Sequence, residues 1–323
     1  MVERPPRIPF GRSAGADRWP GGKRFAFTIF DDADLQTVEN GTPVYDFLYE
    51  LGMRISKSVW VLPPDGDAQF DGASCADSDY LNWVKSLQRA GHEIALHNVA
   101  SSTSARNRTH LGLDRFRELF GHDPRCLANH VGNLEAIYHG EDRVSGSRRT
   151  IYTVLTRRRR RDVFKGHDPE SPLFWGDLCR ERVSYVRNFV FRDINTLKVC
   201  PYIPYHDAAK PFVDSWFAAS DGGTPDAFVA TISERNQQRL ENEQGLCIMY
   251  THLGAGFSRL GRLDQRFEKL MRLMASRNGW FAPVSTILDH IRASQGDWAI
   301  SDSERRSLER RWLLDKARSR KTT

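Results

Sequence analysis

The sequence predicts an α/β protein built on a closed parallel barrel, and two observations carry that prediction. Short apolar runs alternate with amphipathic stretches of helical period, and the runs lack the polar alternation of a half-exposed strand. Acidic residues and histidines then follow the ends of several runs. A parallel barrel gathers the carboxyl ends of its strands on one face, so residues distant in the chain would meet there.

The clearest run is Phe25 to Asp34, FAFTIFDDAD, a strand covered on both sides that ends in the adjacent carboxylates Asp31 and Asp32. Thr42 to Leu51 places Val44, Phe47, Leu48 and Leu51 on one helical face and stops at Gly52, a residue suited to a helix end. Ser58 to Leu62 reads as a second strand closed by Pro63 and Pro64, and Asp79 to Ala90 as a helix stopped by Gly91. Glu93 to His97 is the third strand and delivers His97 at its carboxyl end. A helix over Leu111 to Phe120 precedes Arg125 to Asn129, a short strand that delivers His130.

From Gly132 to Glu243 the pattern is less regular, with helix near Ser147 to Leu155 and extended pieces at Val183 to Phe191 and Leu197 to Ile203. This stretch reads as an elaborated part of the same barrel, since neither a linker nor an internal repeat is visible. Order returns at Leu246 to Tyr250, a strand followed by His252. A helix over Leu263 to Ala275, a strand at Trp280 to Val284 and a helix over Ser285 to Ile291 close the pattern. The expected organisation is an irregular leader over 1–20, a barrel over 21–295 and a basic helical tail over 296–323.

Composition narrows the class. With 40% hydrophobic and 27% charged residues among 323, the chain can bury a large core, and it holds no apolar run long enough to span a bilayer. The N-terminus lacks the apolar stretch of a secretory signal, which points to the cytoplasm. Five cysteines with no C-x-x-C spacing argue against disulfides and a thiolate zinc site. The net charge of +6 is concentrated in the run Arg157 to Arg161 and in the C-terminal SERRSLERRWLLDKARSRK. Such segments suit phosphate or an anionic membrane face, and otherwise are solvated. The run lacks the interleaved aromatics of a single-strand binder, so no nucleic-acid partner is expected.

Each site candidate has a plain structural reading: an Asp after a strand caps a helix, and a lone histidine packs. Their joint placement favours chemistry. Asp31, Asp32, His97, His130 and His252 all fall at predicted carboxyl ends. Carboxylate with imidazole is the ligand chemistry of zinc and other transition metals, and hydrolysis of an amide or ester adds a base and an acid, for which Asp31 and His252 stand as candidates. No G-x-S-x-G nucleophile elbow appears.

On these motifs the chain resembles the polysaccharide deacetylase, or NodB-homology, family of metal-dependent deacetylases with a distorted (β/α) barrel. TIFDD at Thr28 to Asp32 is similar to the family's T-F-D-D, which implies Asp31 as base and Asp32 as metal ligand. GHEIALH at Gly91 to His97 is similar to the G-H-E-I-x-x-H segment, implying His97 as a ligand. IMYTH at Ile248 to His252 looks like the late motif with the catalytic acid, and GWFAPVSTILDHI resembles the closing strand and helix. Two departures stand out. Ser101 occupies the place of the second metal-binding histidine, and ANHVG at Ala128 to Gly132 replaces the R-x-P-[YF]-G motif. His130 is the residue that would supply the missing imidazole. The Asp that orients the acid would be Asp177 of FWGD or Asp207 of YHD, and Trp175, Tyr202, Tyr205, Trp216 and Phe257 are candidates for sugar-stacking walls or for core.

The resemblance implies a divalent metal, zinc first, with cobalt, nickel or manganese as alternatives. It implies removal of an acetyl or formyl group from an amino sugar of a polysaccharide or glycolipid precursor. A lipid- or nucleotide-linked substrate would suit the basic segments, as would peripheral contact of the tail with the inner membrane face. Ser101 and ANHVG motivate the contrasting expectation, a metal-free barrel that binds a glycan or a glycan-synthesis partner.

Overall fold

The computed structural model describes residues 9–12, 18–66, 71–156 and 164–319. The arginine run at Arg157 to Arg161 lies outside them. Twelve strands are described: β1 Phe25–Asp31, β2 Ser56–Val59, β3 Glu93–Leu96, β4 Cys126–Leu127, β5 Tyr185–Phe191, β6 Tyr205–His206, β7 Ser215–Asp221, β8 Leu246–Thr251, β9 Ser258–Arg259, β10 Arg262–Leu263, β11 Gly279–Phe281 and β12 Trp298–Ala299. Seven of them close on themselves in the order β1, β2, β3, β4, β5, β7, β8, and every pairing round that ring is parallel. The predicted barrel is the observed one.

The helices are α1 Val38–Glu50, α2 Ser78–Arg89, α3 Arg106–Phe120, α4 Arg148–Thr156, α5 Gly176–Arg182, α6 Thr196–Val199, α7 Pro225–Thr231, α8 Glu234–Asn242, α9 Gln265–Ser276, α10 Val284–Gln295 and α11 Asp302–Ser319. Side-chain caps start several of them. Thr37 and Asn40 form a reciprocal capping box that begins α1 before the predicted Thr42, with Pro43 tolerated inside the helix. Asp77 and Asp264 cap α2 and α9 through the amides of Tyr80 and Phe267.

Strand β1 organises the barrel. Phe25, Phe27 and Ile29 pack in an outer layer with Val44, Phe47 and Leu48 of α1 and with Phe267, Leu270 and Met271 of α9. Ala26 and Phe30 belong to the other apolar cluster, which includes Val59, Ile94, Leu127 and Phe217 of the barrel. Each large apolar side chain buried this way stabilises the fold by about 1.5–3 kcal/mol relative to exposure. The edge of β1 opposite β8 is divided: Phe25 to Phe27 pair with β11, and Phe30 and Asp31 with β2.

The seam between β7 and β8 is also irregular. These strands pair only at Ser220 with Met249 and Asp221 with Tyr250. Lower down, the amides of Leu246 and Ile248 bond to the side chains of Asn195 and Thr196 at 3.3 and 3.1 Å. This explains a difference from expectation. Leu197 to Ile203 does not form a strand; α6 begins there instead, and Thr196 of that helix with Asn195 just before it accepts from the amides of β8. The extra strand is β7, whose Ala218, Ala219 and Ser220 carry little strand propensity.

The C-terminal segment is packed against the barrel. In α11 Trp312 is fully buried, stacks on Tyr152 of α4 at 5.5 Å and packs near Phe189 of β5. Glu309 of the same helix is buried and accepts from Ser145 and Arg148. In the leader, Phe10 and Trp19 are buried with their rings 5.3 Å apart. All five cysteines are buried thiols. Among the described residues no helix is long and apolar enough to cross a membrane.

Candidate active site

At the carboxyl ends of the strands lies a cavity of about 380 Å³. Its wall includes Asp32, Asp34, His97, His130, Arg187 and His252, with Leu35, Val131, Val190 and Ala255 as apolar neighbours. His97 follows β3 and His252 follows β8. His130 lies beyond β4, and its backbone amide bonds to Asn98 Oδ1 at 2.8 Å.

Asp34 is the point on which the imidazoles converge. His97 Nε2 lies 3.1 Å from its Oδ2, His130 Nε2 3.0 Å from its Oδ1, and His252 Nε2 3.4 Å from its Oδ2. On the far side of each ring, Nδ1 meets a carbonyl oxygen: Ala128 O at 2.9 Å for His97, Asn133 Oδ1 at 2.7 Å for His130 and Gly223 O at 2.9 Å for His252. A carbonyl oxygen only accepts, so each Nδ1 carries a hydrogen. In the neutral ring each Nε2 then presents a lone pair toward the Asp34 carboxylate. Trp60 holds two of the rings in place, lying parallel to His97 and edge-on to His130.

Two acceptors that face each other need a proton or a cation between them. The ligand atoms of Asp34, His97 and His130 all lie within 4.8 Å of one another, and so do those of Asp32, Asp34 and His252. A two-histidine, one-carboxylate set with its outer nitrogens anchored is a donor set suited to a divalent transition metal. With protons alone, burial disfavours charge on these groups, but the mutual hydrogen bonds prevail. Asp34 is held well below the usual carboxylate range, His130 is raised, and His252 is raised to about 9.

The two adjacent acids of β1 have different surroundings. Asp31 shares the parity of Phe25, Phe27 and Ile29 and lies below the cavity wall. Its Oδ2 accepts from Tyr45 Oη at 2.7 Å, its Oδ1 from the Leu253 amide at 2.7 Å, and Lys57 Nζ lies 3.6 Å away. Burial raises its carboxyl in spite of these partners. Asp32 faces the cavity, and Arg187 of β5 grips both its oxygens. Burial opposes ionisation of Asp32 too, but Arg187 and then His97 hold its carboxyl below the usual range.

The structure thus brings together four of the five residues singled out in the sequence, Asp32, His97, His130 and His252, and sets Asp31 beneath them. Asp32 is engaged by Arg187, and its nearest imidazole contact is His97 at 3.9 Å, whereas Asp34 has closer contacts to three. Sequence reasoning missed Asp34, Arg187, Tyr45 and Lys57. Ser101 is buried outside the cavity wall. Neither suggested orienting acid reaches His252: Asp177 pairs with Arg106, and Asp207 with Lys210 and Arg305. Trp175, Tyr202, Tyr205, Trp216 and Phe257 are all buried core residues, so none offers an open stacking face.

No family model matches the chain, and no curated protein matches its sequence. Solved structures do match its fold. A polysaccharide deacetylase structure from Mycobacterium smegmatis has 14% identity and a TM-score of 0.51, over 92% of this chain and 99% of that one. A polysaccharide deacetylase structure from Pseudomonas aeruginosa PAO1 has 11% identity and a TM-score of 0.51, over 88% and 96%. The Puue allantoinase has 12% identity and a TM-score of 0.50, over 91% and 99%. The chain therefore has the (β/α) barrel fold of polysaccharide deacetylase structures along nearly its whole length, at an identity that carries architecture alone. The motif resemblance and the fold agree.

Proposed function

We propose that this protein is a metal-dependent hydrolase that removes an acetyl or formyl group from an amino sugar of a polysaccharide or glycolipid precursor. The observation that carries the reading is the convergence of three imidazole Nε2 atoms on Asp34, each ring anchored through Nδ1 to a carbonyl oxygen. Asp34, His97 and His130 would hold the ion, zinc first, with cobalt, nickel or manganese as alternatives. A bound divalent ion supplies Lewis acidity for the acyl carbonyl and for water.

The chain's own groups divide the proton work. Asp32 is the cavity-facing carboxylate and accepts a proton from the attacking water, with Arg187 fixing its orientation. His252 stands at the end of β8, its ligand nitrogen within 4.8 Å of the Asp32 and Asp34 carboxylates, and donates a proton to the leaving amine nitrogen. Asp31 acts below them by holding the Leu253 amide, next in the chain to His252. Leu35, Val131, Val190 and Ala255 give the cavity apolar wall suited to a small acyl group.

The motif resemblance supports the sugar. The metal content of purified protein, measured by elemental mass spectrometry alongside acetate and formate release from N-acylated amino sugars, tests the reading. Near-stoichiometric divalent metal with acyl release is the expected result; absence of metal after reconstitution overturns it. The second reading, a metal-free barrel that binds a glycan or a glycan-synthesis partner, rests on the same geometry: hydrogens on the converging nitrogens would also satisfy the Asp34 carboxylate. Sugar binding by a protein that takes up no metal would favour it.

A further inference from the structure

His130 is the imidazole that the motif resemblance does not supply, and the segment after it is organised around its ring. Asn133 is fully buried, with its Oδ1 2.7 Å from His130 Nδ1. At the other end of that amide, Nδ2 faces Ala100 O at 3.0 Å, Ser102 O at 3.0 Å and Glu135 Oε1 at 2.6 Å. Three acceptors around one end require the nitrogen there, so the end toward His130 is oxygen.

Glu135, itself buried, ties the ring to the backbone of the same residue. Its Oε1 also accepts from Asn98 Nδ2 at 3.0 Å, and Asn98 Oδ1 accepts from the His130 amide at 2.8 Å. Asn98 adopts a left-handed φ of 51° to do so, a conformation that asparagine tolerates better than most residues. The carbonyl of Glu135 is fixed by the indole of Trp175 at 2.7 Å. One carboxylate, through two asparagines, thus holds both the main chain and the ring of His130.

We propose that Asn133, oriented by Glu135 and by the carbonyls of Ala100 and Ser102, is a positioning residue that sets His130 as an Nε2 ligand; this rests on the metal-site reading above. An amide pinned at its nitrogen end cannot turn to offer a donor, so His130 keeps its hydrogen on Nδ1 and aims the Nε2 lone pair at the cavity.

The test is a Co²⁺ titration of the metal-stripped full chain, followed by visible absorption and calorimetry. The wild type should bind one Co²⁺, and Asn133→Ala should bind it about 10–100-fold more weakly with altered visible bands, as losing an outer-shell partner does. Asn133→Leu fills the volume without the acceptor and should show the same loss, which keeps the test available if the alanine variant does not fold. Asn129→Ala is the control, because it breaks two buried hydrogen bonds to Ile137 in the same segment without touching the His130 ring. Wild-type affinity and spectrum in Asn133→Leu would overturn the positioning role and leave the metal site standing. Equal weakening in Asn129→Ala would also overturn it, since loosening of the segment would then suffice. A wild type that takes up no Co²⁺ overturns the metal site and the ligand role of His130 together.

Discussion

The guanidinium of Arg187 holds both carboxylate oxygens of Asp32, Nη1 to Oδ1 at 2.8 Å and Nη2 to Oδ2 at 2.6 Å, between residues 155 positions apart in the chain. The same guanidinium lies 4.4 Å from the Tyr250 ring centre and 5.2 Å from that of Phe30, so it is fixed by packing as well as by charge. Removing it as Arg187→Met takes away the largest force holding the Asp32 carboxyl low. The acid limb of the pH–rate profile should then move to higher pH, with activity lower at every pH. An unmoved acid limb would assign that limb to another group.

Asp32 and Asp34 should separate when metal and turnover are measured on the same samples. Asp34→Asn and His97→Ala should lose the metal, because each removes one of three converging ligand atoms. Asp32→Asn should keep the metal and lose activity by about 10²–10⁴-fold, the usual contribution of a positioned base. Metal loss in Asp32→Asn instead would restore Asp32 to the ligand set.

Asp31 should behave as a structural anion. Asp31→Asn leaves the buried Lys57 ammonium without its counter-charge, at a cost of about 3–5 kcal/mol. Adding Lys57→Met should recover most of that stability in denaturant unfolding. The double variant should keep activity within roughly tenfold of wild type, well short of the loss expected for a base. A loss as large as that of Asp32→Asn would make Asp31 the base.

His92 gives the fold a defined sensitivity to acid. Burial, reinforced by the Arg54 charge, lowers its pKa to about 4, while its Nδ1 accepts the Ile55 amide at 3.2 Å. Below about 6.5 the unfolded chain binds a proton that the folded chain refuses until about pH 4. The stability contributed by this group is therefore present above pH 6.5 and lost as pH falls toward 4. His92→Gln, whose side-chain oxygen can still accept, should flatten the dependence of melting temperature on pH in that window; an unchanged slope would exclude His92.

Much of the barrel was legible because its signals are local. The runs of β1, β3 and β8 are apolar, and Gly52 and Gly91 stand just past the ends of α1 and α2. His97, His130 and His252 could be placed because each follows such a run. The two acids were harder. In a barrel strand the side chains alternate, so Asp31 belongs with Phe25, Phe27 and Ile29 while Asp32 has the opposite parity. Counting alternate positions along FAFTIFDDAD separates them, and it gives Asp34 the parity of Asp32. Arg187 carries no such signal, because it sits inside YVRNFVF and its purpose appears only when β5 comes opposite Asp32. Strand β7 escaped notice because its small residues resemble a loop.

The C-terminal helix has a meaning that its charge hides. Trp312 of α11 lies beneath the Arg143 guanidinium, 5.6 Å from ring centre to carbon, and Arg143 is part of the cavity wall. Helix α11, a strongly basic segment by composition, therefore acts through one indole as a prop set behind the cavity.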